Sequence, residues 1–174
     1  MGSNGDIVGI RYKEFKELID YLETNNEISL KLVADDNLKK VLLLSAASYF
    51  EDEIKNIILN FVEKNSDNNS MIKSFVKNTS VEWEYFKYFD WKTRNANKFF
   101  ALFGGEFKDQ AKGDVKDNSE LEKSIRAFLE IGNLRNELVH GNFAVFPIEK
   151  TVKEIYDLYH LAHQFIDYLS SKLT

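Results

Sequence analysis

Residues 36–64 read DNLKKVLLLSAASYFEDEIKNIILNFVEK. Leu43, Ala47, Phe50, Ile54, Ile57 and Phe61 follow one another at steps of four, three, four, three and four. A strand would alternate every second residue, whereas these steps line one face of an α-helix. Asp35 or Asp36 is the expected N-cap. The polar run Asn65–Ser70 is the expected end. A seam of this length has to be covered by other helices, so the stretch points to an all-α fold.

The flanks agree. Upstream, Tyr12, Phe15, Leu18, Ile19 and Leu22 form a second helical stripe from about Ile10 to Thr24, which Asn25 and Asn26 can end. Downstream, residues 71–116 carry eleven of the 24 aromatic residues. Short helices are expected there, one over Thr93–Phe103 stopped by Gly104 and Gly105. The polar stretch Lys108–Asn118 reads as a loop. Ser119, with Glu122 three residues on, has the form of a capping box. The helix it opens runs to about His140, where Gly141 is a natural stop. Pro147 suits the first turn of a last helix reaching about Lys172. The result is an up-down helical bundle of four to five main helices with an irregular aromatic-rich insert. Residues 1–9 are expected to form a flexible lead, and residues 10–174 a single domain.

Composition removes several chemistries. The 174 residues include no Cys, three His and one Pro. Disulfides, thiol nucleophiles and cysteine-ligated metals are excluded, and a multi-histidine metal site has little to draw on. No metal or cofactor is expected. Nor is there an apolar run long enough for a transmembrane helix, or a basic and apolar N-terminal signal, which suits a cytoplasmic protein away from membranes. The formal net charge of −5 argues against non-specific nucleic-acid binding. The charge is uneven, however. Residues 71–116 hold 9 basic and 6 acidic side chains, making the aromatic-rich segment the only basic one. Basic and aromatic residues together can hold single-stranded nucleic acid, although most of these aromatics suit a core.

The chemistry-bearing stretch is Arg135-Asn136-Glu137-Leu138-Val139-His140-Gly141. Arginine is a permanent cation that forks onto phosphate oxygens. Histidine titrates near neutrality and can move a proton. Together they suit phosphodiester cleavage without a metal. Five helical steps turn the two side chains about 140° apart. They can still converge if the last turn loosens at Gly141, or if a second subunit brings its own pair opposite.

This stretch resembles the R-x4-6-H signature of the HEPN superfamily, in which the residue after Arg is commonly Asn, Asp or His. The layout is similar too: a long second helix with a Phe50-Glu51 step, an irregular insert, the motif helix and a final helix. The nearest subgroup is the RiboL-PSP-HEPN type. The resemblance implies a metal-independent endoribonuclease, a toxin or antiviral effector, whose two motifs meet across a homodimer interface. An antitoxin or defence-system partner is implied with it. Carried over, Arg135 stabilises the phosphate, His140 transfers a proton, Asn136 orients the phosphate or the histidine, and Glu51 is the supporting acid. Members paired with a nucleotidyltransferase antitoxin often place Tyr three residues after the His. Here that position is Phe143, which argues against control by adenylylation.

Plainer readings compete. Arg135 can be a surface ion-pair partner, and His140 a C-terminal residue favoured by the helix dipole. A bundle of this kind can also serve as a non-catalytic dimerisation, RNA-binding or protein-binding module. Asp157, His160 and His163 share spacing with di-iron bundles, but the further Glu-x-x-His repeat such sites need is missing. Surface or interface roles suit both histidines better. Glu51-Asp52-Glu53 reads mainly as a solvated face, with Glu51 at its border. Trp83 and Trp91 suit core or interface anchors.

Overall fold

A computed structural model describes residues 6–173. It contains α1 (Ile7–Thr24), α2 (Ile28–Asn65), α3 (Ser70–Val76), α4 (Glu82–Tyr88), α5 (Asn97–Phe100), α6 (Gly105–Asp117), α7 (Ser119–His140) and α8 (Val152–Leu173). A π-helical turn, Lys77–Val81, joins α3 to α4, and a 3-10 turn, Ala101–Phe103, extends α5. No strand occurs among the described residues, so the fold is all-α as the stripe at 36–64 requires.

The helix expected over Thr93–Phe103 begins only at Asn97, and the boundaries differ from expectation in four further places, each for a local reason. The lead is shorter than nine residues: α1 starts at Ile7 because the Asp6 carboxylate caps it, accepting from Gly9 N at 2.8 Å. Residues 1–5 lie outside the described residues. Second, α2 begins at Ile28. Asn26, at φ 56°, ends α1, with Glu27 N donating to Leu22 O and Asn26 N to Glu23 O. That is a Schellman ending. Asp35 and Asp36 are therefore inside α2, where they pair with Lys39 and Lys40 one turn on at 2.6 and 2.7 Å. Third, residues 105–117 form a helix and not a loop. Asp114 anchors it to α8, accepting from Tyr168 Oη at 2.9 Å and pairing with Lys172 at 2.8 Å. Fourth, Pro147 precedes the last helix instead of opening it. The first turn of α8 is closed by a capping box in which Glu154 accepts from Thr151 N and Thr151 Oγ1 accepts from Glu154 N. The start of α7 is as expected, but its cap is Asn118, whose side chain accepts from Glu120 N and Leu121 N.

The chain divides into two compact units, each discontinuous. One takes the described residues through Tyr49 and Ile131–His160; the other takes Phe50–Glu130 and the described residues from Leu161 on. In the first, Tyr12 stacks on Tyr156 with ring centres 3.9 Å apart. There the buried Tyr159 donates to Asp6 at 2.9 Å. Burial, and then that carboxylate, push the Tyr159 phenol well above its usual range. Gly9 is packed so tightly under Asp6 and Tyr156 that no side chain fits there.

The second unit has an aromatic core. Phe89 stacks on Phe99 at 4.7 Å, and Phe128 meets Phe89 at 4.9 Å and Phe165 at 5.1 Å. Ile54, Ile125 and Leu169 are buried in the same unit. Ser124, fully buried, accepts from Phe165 N at 2.7 Å and ties α7 to α8. Two aromatics expected inside or at anchors are not buried: Phe75 is 68% and Trp83 80% exposed. Trp91 is half-buried and donates from Nε1 to Phe86 O at 2.8 Å, closing the turn after α4.

Candidate functional site

The end of α7 and the segment after it belong to the first unit. The helix is regular to its end. It is α-helical through His140, and Gly141 N still donates to Glu137 O at 2.9 Å. The last turn therefore does not loosen. Within one chain Arg135 and His140 keep the roughly 140° divergence and about 7.5 Å rise of five helical steps.

Arg135 and Asn136 are half-buried, and Arg135 Nη1 donates to Asn136 Oδ1 at 3.3 Å. The amide thus helps to orient the guanidinium. His140 is exposed in the last turn. The neighbouring Glu137 faces away from this work, accepting from Asn133 Nδ2 at 2.9 Å.

Gly141 acts by close approach and not by a left-handed backbone. A Cβ there would lie 3.0 Å from Glu137 O and 3.0 Å from the Phe146 ring. The ring of Phe146 therefore packs on the residue after His140, folding the segment 142–151 back on the helix end. An Asn142 turn starts that segment: its Oδ1 accepts from Ala144 N, and its carbonyl from Val145 N. Ile148 is buried and fixes the far side.

One contributor was not foreseen in the sequence. Lys40 of α2 is 1% exposed, pairs with Asp36 at 2.7 Å, and places its ammonium 5.6 Å from the centre of the Phe143 ring. It pins the residue three after His140 by a cation–π contact. A lysine on the apolar stripe of a helix was the available signal.

Glu51 lies in the second unit, half-buried, and pairs with Lys55 one turn on at 2.7 Å. His160 sits edge-on to Tyr156 at 4.3 Å, and His163 lies against Phe50 at 5.6 Å. Asp157 pairs with Lys153. Among the described residues no three His, Asp or Glu side chains gather as a metal site, and no helix is long and apolar enough to cross a membrane.

An all-α chain with this helix order and a motif at the end of its next-to-last helix has the organisation expected of the HEPN superfamily. Comparison with protein-family models identifies the particular family. The RiboL-PSP-HEPN model matches residues 10–174, and the chain belongs to that family. No match was found among curated proteins or among solved structures.

Proposed function

We propose that this protein is a metal-independent endoribonuclease whose active site is composed by two copies of the chain, each supplying Arg135 and His140. The observation that carries the reading is the regular α7 terminus. It holds a half-buried, amide-steered arginine and an exposed histidine on diverging faces. On one helix the two side chains start about 140° apart, and a two-fold axis beside the helix end would let Arg135 of one copy and His140 of the other meet at one phosphate. The surface around the motif suits a second copy. Val139, Phe143 and Val145 are 42%, 44% and 74% exposed, and Ile28, Leu30, Leu32 and Val33 of α2 are exposed in the same unit. Apolar exposure on this scale commonly marks an interface.

The chemistry follows from the residue types. His140 takes the proton of a ribose 2′-OH, whose oxygen attacks the adjacent phosphorus. The 5′-oxygen leaves and is protonated, giving a 2′,3′-cyclic phosphate and a 5′-OH. Arg135 stabilises the charge growing on the non-bridging oxygens, and Asn136 orients it. An RNA-cleaving dimer of this kind fits a toxin or phage-defence effector held in check by a partner.

The test is cleavage of RNA by the purified protein in EDTA, with Arg135→Ala and His140→Ala alongside. Cleavage by the wild type, with both variants reduced at least about 100-fold, is expected. A wild type that dimerises but leaves RNA intact would leave a binding module instead. Mixing the two variants adds a sharper reading. A composite site regains activity in heterodimers that hold one intact Arg135 and one intact His140 where these face each other across the axis. No activity on mixing, with both variants still dimeric, would rule out a site shared in this way.

A further inference from the structure

Together α3, the π-helical turn and α4 form one unbroken helical stretch, Ser70–Tyr88, inside the second unit. Its inner side carries the buried Val81 and Tyr85. Its outer side carries Met71, Phe75 and Trp83, each more than two-thirds exposed, with the exposed Thr79 between the two rings. These four positions follow one another at steps of four. On a plain α-helix each such step drifts about 40°, so Trp83 would stand about 120° away from Met71. The π-helical turn Lys77–Val81 turns the chain less per residue and takes up much of that drift. It thereby aligns three large apolar side chains into one ridge facing solvent. Single exposed apolar residues are ordinary, whereas an aligned group of them marks an interaction surface.

The charges beside the ridge decide what can cover it. Lys73 pairs with Glu63 at 2.6 Å, Lys87 with Glu84 at 2.7 Å and Lys77 with Glu82 at 3.7 Å. Each lysine of the stretch has its own acid, so the ridge offers no surplus of cations to a phosphate backbone. It is complementary to itself instead. Phe75 and Trp83 lie four residues on either side of Thr79, and Lys77 and Glu82 straddle nearly the same point. A two-fold axis at Thr79 sets two such helices antiparallel, with Phe75 of each copy on Trp83 of the other. It also brings Lys77 of each copy beside Glu82 of the other. The two exposed ion pairs then close into an alternating ring of four charges. Thr79 is small, and its hydroxyl is engaged by Phe75 O at 2.7 Å, so the helices can approach at the axis.

We infer that two copies of this chain pack antiparallel through this ridge. The contact is separate from the one proposed at the end of α7, which lies in the first unit, and does not depend on it. Two aromatic side chains per copy cover about 300–500 Å2, less than the roughly 800 Å2 per partner of a standard stable interface. The association is therefore weak and driven by concentration, with a Kd between about 10 µM and 1 mM.

Sedimentation equilibrium of the full chain, from about 5 µM to 1 mM, measures the association. The mass doubles with rising concentration, and the double variant Phe75→Glu, Trp83→Glu abolishes that step. If copies also pair at the end of α7, the step starts from a dimer; if they do not, it starts from a monomer. The α7 reading can therefore fail without this one. Lys77→Glu alone and Glu82→Lys alone each weaken the step, because each places like charges opposite one another. A mixture of these two chains associates at least about tenfold more tightly than either does by itself. The chain contains no cysteine, so Thr79→Cys supplies a single thiol at the axis, where two copies come within reach of a disulfide. Under oxidation it cross-links at least about tenfold faster than Met71→Cys, whose two copies lie about 24 Å apart along an antiparallel pair. No doubling in this range overturns the inference. So does a doubling that survives Phe75→Glu, Trp83→Glu, a pair of charge variants with no preference for each other, or Met71→Cys cross-linking as fast as Thr79→Cys.

Discussion

The two halves of α7 answer to different demands. From Leu121 to Ile131 the helix buries Leu121, Ser124, Ile125, Ala127, Phe128, Leu129 and Ile131. From Arg135 to His140 only Leu138 is buried. Packing explains the first half residue by residue, because each side chain fills space among other rings and aliphatic groups. Packing does not explain why the second half ends in Arg-Asn and His. One continuous helix thus has a half specified by the core and a half specified by what it presents. Phe128→Ala tests the first half with the largest expected effect. The ring lies within 6 Å of Phe50, Phe89, Trp91 and Phe165. Its removal should cost about 3–5 kcal/mol of unfolding free energy, read by urea denaturation. A loss below about 1 kcal/mol would show that this core repacks freely, and would erase the contrast.

His140→Ala makes the opposite demand. His140 is exposed, so stability should stay within about 0.5 kcal/mol of the wild type while RNA cleavage falls at least about 100-fold. A variant as unstable as the Phe128 one, or one that cleaves normally, would place His140 among structural residues. Gly141→Ala lies between the two halves. Its new methyl group meets a backbone oxygen on one side and the Phe146 ring on the other, each at 3.0 Å. The ring can shift but the carbonyl cannot, so about 1 kcal/mol of stability is lost. Cleavage should fall further than stability does, because the shifted ring moves the segment beside His140. Equal losses in both would mean that Gly141 serves packing alone.

The same division explains what was legible in the sequence. The α2 seam and both ends of α7 stood out because repeated apolar spacing and Gly141 are strong local signals. The motif was visible for the same reason: its residues are consecutive on one helix. Other features were hidden by distance or by ambiguity. The sequence reading made Asp35 and Asp36 a cap, although their four-residue spacing to Lys39 and Lys40 also fits a helix interior. The true start of α8 was marked by Thr151 and Glu154, a signal outweighed by Pro147. The helix at 105–117 was obscured by Gly105, Gly113 and a thin apolar face. Its hold on α8 runs from Asp114 to residues 168 and 172, a contact that no local pattern announces.

Asp114→Asn is the smallest perturbation, and its sign is fixed by titration. The Lys172 ammonium and then the Tyr168 hydroxyl hold the Asp114 carboxyl below the usual aspartate range. A carboxyl whose folded pKa is depressed adds stability above its unfolded pKa, and loses it as pH falls through the folded one. The contribution is therefore complete at pH 7 and fades below about pH 4. The pair is partly open to solvent, with side chains about a third exposed, so screening keeps it small. Asp114→Asn should lower stability at pH 7 by less than about 1 kcal/mol. The gap to the wild type should narrow at pH 3, as the wild-type carboxyl begins to take up its proton. Melting curves of the two proteins at both pH values measure it. A gap that stays constant or widens in acid would mean that shape, and not charge, holds α6 against α8. The anchor would then belong with the packed half of α7 and not with its charged end.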